Sequence, residues 1–73
     1  MNPLRKLELA AQMYARQHRL TVPTRDMPNT ERAAAISAAV EDAIKHPRRK
    51  HAKFLVWADR KFAQSLDNDN TKG

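Results

Sequence analysis

The chain has 73 residues, with Lys+Arg 14 against Asp+Glu 8, a formal net charge of +6, and no cysteine. That length holds one small domain with no room for a deep substrate cavity, and the missing cysteines exclude disulfides and thiolate-metal sites. The surplus of positive charge steers the protein toward polyanions: nucleic acid, acidic protein surfaces, or both.

The first predicted element is a helix over "NPLRKLELAAQMYARQHRL". Pro3 suits a first helical turn, with Asn2 before it as the cap. Leu4, Leu7, Ala11, Tyr14 and His18 follow the three-to-four spacing of one face, which Ala10 and Met13 widen. Arg5, Gln12, Arg16 and Arg19 fall on the other side. Arg16 and Arg19 also suit the negative end of a helix dipole. Leu9 lies away from Leu4 and Leu7, among the cations, as a candidate contact point.

"TVPTRDMPN" interrupts the pattern. Pro23 and Pro28 remove backbone donors and push Val22 and Met27 toward extended geometry. A loop is expected, anchored by Val22 and Met27, with Asn29 or Thr30 capping the next helix and Glu31 in its first turn. The alanine-rich "TERAAAISAAVEDAIK" is the clearest helix, with Ile36, Val40 and Ile44 at four-residue steps and Ala33 and Ala43 beside them. Its small residues permit close helix–helix approach, which makes it the expected central element. Pro47 should end it after His46.

A third helix is expected from Pro47, or just after it, to about Leu66. Leu55, Ala58, Phe62 and Leu66 would form its core face. The aromatic and β-branched content of "KFLVW" also fits a short strand. Length and the polar interruptions Asp59, Arg60 and Lys61 favour the helix, and a single glycine, Gly73, leaves little material for hairpin turns. The fold class that follows is all-α: a small three-helix domain over residues 1–66, with a proline-containing loop. "DNDNTKG", residues 67–73, lacks an apolar anchor and is expected to be a disordered tail. No apolar run approaches the ~18–20 residues of a membrane span, so a cytoplasmic protein with no membrane partner is expected.

Catalytic sets are missing. His46 and His51, five residues apart, do not share a helical face, and no cysteine completes a metal site. Glu41 and Asp42 are adjacent, point apart on a helix, and read as a solvated face. Ser37 and Ser65 have no base near them in sequence. A glycine-rich phosphate loop is impossible with one terminal glycine. The expectation is a protein that is not an enzyme and uses no metal or cofactor.

The strongest chemistry lies in "KHPRRKHAKFLVW", residues 45–57, where Lys45, Arg48, Arg49, Lys50 and Lys53 occur with no carboxylate among them. Such blocks commonly mark anionic partners. On a helix beginning at Pro47, Arg49, Lys53 and Trp57 form a row at four-residue steps. That row could grip phosphates and stack a base on Trp57, or insert Trp57 into a protein groove. Taken alone, Phe54 and Trp57 read as core residues, because small cores use aromatics heavily. The candidate partner-binding residues are Arg5, Lys6, Arg16 and Arg19 on the first helix, and Arg48, Arg49, Lys50, Lys53 and Trp57 on the third. A helix-turn-helix reading is weak: "IKHPRRK" carries a proline and no glycine, and the base-reading amides are absent until Gln64. Electrostatic contact with nucleic-acid phosphates fits better.

The stretches "MNPLRKLELAAQMYARQHRL" and "KHPRRKHAKFLVWADRKFAQ", with the length, basic balance, lack of cysteine and helical build, resemble the small RNA-polymerase-binding transcription regulators of lytic phages that infect Xanthomonas. The resemblance implies a protein that acts in the cytoplasm of a bacterial host. It would bind the host RNA polymerase near the N-terminus of its largest subunit, by the RNA exit channel. There it would suppress initiation by opposing the sigma factor and help polymerase pass terminators. Polymerase, and with it nascent RNA or other nucleic-acid phosphates, are the expected partners of a monomer. The alternative is a small basic DNA- or RNA-binding protein that acts without a protein partner. An inhibitor of another host enzyme shares the same sequence features.

Overall fold

The computed structural model describes residues 2–71, with side chains through Leu66. Three helices follow in order, α1 (Pro3–Gln17), α2 (Asn29–Lys45) and α3 (Ala52–Thr71), with no strand among the described residues. "KFLVW" is helical. The side chains of 67–71, and residues 72 and 73, belong to the stretch expected as a tail and lie outside the described residues.

Asn2 caps α1 as its sequence suggests: its Oδ1 accepts from the Leu4 amide at 2.9 Å, and Pro3 occupies the first helical position. The other end differs. The helix stops at Gln17, and Arg19 takes a left-handed conformation with φ 58. The Leu20 amide then reaches back to the Ala15 carbonyl at 2.9 Å. This closure normally recruits glycine at the left-handed position. Here arginine fills it, which is why composition concealed the stop.

The loop is pinned by Pro23, which is fully buried, and by Gln12, whose Nε2 donates to the Pro23 carbonyl at 2.9 Å. Val22 and Met27 are half-buried beside it. The second helix begins one residue earlier than a side-chain cap at Asn29 would place it. Pro28 holds the cap position without a side-chain bond, its carbonyl accepting from Arg32 at 2.9 Å, and Asn29 is already helical. Glu31 stands in the first turn.

Among the described residues eight alanines are buried, at positions 10, 11, 15, 35, 39, 43, 52 and 58. Small side chains bring the three helices close, and Leu7, Tyr14, Val40 and Leu55 fill the remaining space. Tyr14 is the largest fully buried side chain. The core therefore lies on a different stripe of α2 from the one its large residues suggest. Ala35, Ala39, Val40 and Ala43 are buried, Ile36 packs against them in part, and Ile44 is 59% exposed. Ala33 is exposed. Likewise Leu4, Met13 and Leu66 are largely exposed, while Leu7, Leu55 and Ala58 are buried and Phe62 is partly so. Burial here follows how closely backbones can approach more than side-chain hydrophobicity.

A candidate partner-binding surface

The third helix starts at Ala52, not at Pro47. Pro47–Lys50 form turns, the Ala52 amide bonds the Arg49 carbonyl at 3.0 Å, and His51 adopts φ 69 immediately before the helix. Arg49 is therefore not on the helical row with Lys53 and Trp57. Its guanidinium Nη1 instead donates to Asp42 Oδ1 at 2.9 Å. The same carboxylate oxygen accepts the Tyr14 hydroxyl at 2.5 Å. Asp42, expected on a solvated face, is thus a junction between α1, α2 and the basic turn.

His18 adds a second tie, its Nε2 lying 3.0 Å from the Lys50 carbonyl oxygen, and its ring sits 4.4 Å from that of Tyr14. Sequence reasoning missed these anchors. The available signal was the single tyrosine on an apolar face, since a buried phenol needs a partner for its hydroxyl.

The electrostatics of the junction follow from its geometry. Burial raises the Tyr14 phenol above its ordinary pKa, and the hydrogen bond to the Asp42 anion raises it further. The hydrogen bond from Tyr14 lowers the Asp42 carboxyl below the usual carboxylate range; Arg49, and more weakly His46 and His18, act in the same sense.

Tied in this way, the turn presents Arg48 and Lys50 to solvent, beside the exposed Lys45 at the end of α2. Neither Arg48 nor Lys50 forms an ion pair among the described residues. Because His18 holds the turn, the exposed Arg16 and Arg19 at the end of α1 lie at the same end of the molecule. This cationic region joins the end of α1 to the turn before α3.

The other candidates separate into two groups. Arg5 is half-buried and pairs with Glu8 at 3.5 Å. That approach lacks hydrogen-bond geometry, and Glu8 Oε1 is buried without a hydrogen bond. Lys6 belongs elsewhere. Its Nζ lies 4.9 Å from the Trp57 ring centroid, and Lys61 Nζ, which the sequence had not singled out, lies 5.9 Å away. Exposed contacts of this kind are worth about 0.5–1 kcal/mol each. Phe54 and Trp57 are not core: they are 39% and 42% exposed, with ring centroids 5.9 Å apart and planes 21° from parallel. Leu9 is half-buried. A shallow groove lined by Ile44, Pro47, Lys53, Val56, Trp57 and Arg60 runs between the end of α2 and α3.

Comparison with known protein families, curated proteins and solved structures finds no match. Among the described residues no helix is long and apolar enough to cross a membrane, and no cluster of three His, Asp or Glu side chains could hold a metal ion.

Proposed function

We propose that this protein is a non-enzymatic regulator that binds bacterial RNA polymerase. In this reading it opposes the sigma factor at initiation and assists passage through terminators, acting by occupation of a surface on the largest subunit near the RNA exit channel. The observation that carries the binding role is the pinned basic turn. Arg48 and Lys50 stand exposed on backbone that Asp42 and His18 hold in place. Fixing the backbone before binding lowers the ordering cost of association, so cations on a braced turn bind more tightly than the same cations on a loose loop. The net charge of +6 supplies long-range attraction toward an acidic surface. The polymerase assignment itself rests on the resemblance of residues 1–20 and 45–64 to the phage regulators.

The test is an affinity purification from a Xanthomonas lysate treated with nuclease. Polymerase should remain on the tagged protein. Its loss after nuclease treatment would mean that nucleic acid had bridged the two. Sigma-dependent open-complex formation on a host-type promoter should also fall as the purified protein is added.

A further inference from the structure

We infer that the exposed Phe54–Trp57 face of α3 is a stacking platform for single-stranded nucleic acid. The two aromatic side chains are 39% and 42% exposed, with rings 5.9 Å apart and planes 21° from parallel, so a large part of their apolar surface faces water. Cations surround them. Lys6 from α1 and Lys61 from α3 lie over the indole, and Lys53 and Arg60 stand exposed on the same side of the helix at 100° per residue. Asp59, two residues beyond Trp57, falls on the opposite side of α3 by the same geometry and lines a different surface with Leu4 and Phe62.

Aromatic side chains flanked by long cationic ones, with no acid on this face among the described residues, match the two repeating features of a single strand, unpaired bases and phosphates. Stacking of a base is stronger than either lysine–indole contact, so an incoming base displaces the ammonium groups, which then meet the flanking phosphates. A duplex cannot use the rings because its bases are already stacked. An acidic peptide would satisfy the cations, but its carboxylates offer no aromatic face to stack on the rings. This site adjoins the basic turn through the groove that Pro47, Lys53, Trp57 and Arg60 line, and it stands whether or not polymerase is the protein partner.

Trp57 is the only tryptophan of the chain, so its fluorescence reports on the site directly. Titrating the full-length protein at low salt with a ten-nucleotide oligouridylate, the matching oligothymidylate, and a duplex of mixed sequence should give quenching by the single strands and little by the duplex. The ratio between the first two measures preference for RNA or DNA. Trp57→Ala should weaken single-strand binding by roughly tenfold, measured by anisotropy of a labelled strand. Circular dichroism should show the helices intact, since the ring is only partly buried. Phe54→Ala should weaken binding in the same direction. Equal affinity for single strand and duplex, binding without quenching, or an unchanged affinity in the Trp57→Ala protein would overturn the inference and leave simple charge attraction. Quenching by a polyglutamate peptide but not by either strand would overturn it in favour of an acidic protein segment.

Discussion

The Tyr14 hydroxyl donates to Asp42 Oδ1 at 2.5 Å across 28 residues of sequence, and Arg49 shares that oxygen from the other side. One carboxylate thereby fixes the largest core side chain and the turn that carries the exposed cations.

Removing the hydroxyl while keeping the ring tests that junction. Tyr14→Phe should fold with a melting temperature lower by roughly 5–20 °C, because a buried bond to a charged acceptor is lost without creating a large cavity. Tyr14→Ala should be far worse, about 3–5 kcal/mol by analogy with other aromatic truncations, which a domain of this size is not expected to survive. Thermal melts followed by circular dichroism distinguish the two.

The junction also sets a pH window. Asp42 has a lowered folded pKa, so its contribution is present above the unfolded carboxylate pKa and disappears as pH falls through the depressed folded value. Tyr14 has a raised folded pKa. Its contribution is complete below the ordinary phenol value of about 10 and is lost as pH rises through the folded one. Stability should therefore drop at both extremes. In Asp42→Asn the acid-side drop attributable to this group should vanish, measured by urea melts at a series of pH values.

Arg48 and Lys50 should separate from Arg49. Reversing charge at Arg48 and Lys50 together should weaken partner binding with almost no change in melting temperature, since neither is paired within the described residues. Arg49→Glu should lower both, because it places a second carboxylate beside Asp42. Equal destabilisation by the two variants would show that the whole turn serves the fold.

Among the described residues two non-glycine positions have positive φ, Arg19 at 58 and His51 at 69. A left-handed side chain costs roughly 1–2 kcal/mol. Arg19→Gly should therefore raise the melting temperature, although glycine's greater freedom in the unfolded chain offsets part of the gain. The same variant should lower affinity if Arg19 contacts the partner. A stability gain with a binding loss would identify a residue retained for function at the expense of the fold.

The alanine core predicts poor tolerance of added volume. Ala39→Leu should cost about 1–3 kcal/mol by forcing the helices apart, and Leu55→Ala about 2–5 kcal/mol by leaving a cavity in the same core. Both residues are fully buried. Urea denaturation measures each.

The number and order of the helices, the Asn2–Pro3 start and the burial of Leu7, Tyr14, Leu55 and Ala58 were legible from local periodicity and capping, because these depend on residues within a few positions of one another. The start of α3 was not. Pro47 is a legitimate first helical residue, but the distant partners of Arg49 and the Lys50 carbonyl, together with local bonds such as that of the Arg49 amide to the His46 carbonyl, hold residues 47–51 in turns instead. The exposure of Ile44 was equally hidden. Hydrophobicity and its four-residue spacing from Val40 favour burying it, but alanines at 39, 43, 52 and 58 let the backbones meet on another stripe and leave the larger side chain outside. The sequence by itself determined a cationic three-helix chain and the block of cations between α2 and α3, since charge and periodicity are local properties. Tertiary structure alone decided which cations are free, because Asp42 reaches Tyr14 and Arg49 only after the helices have packed.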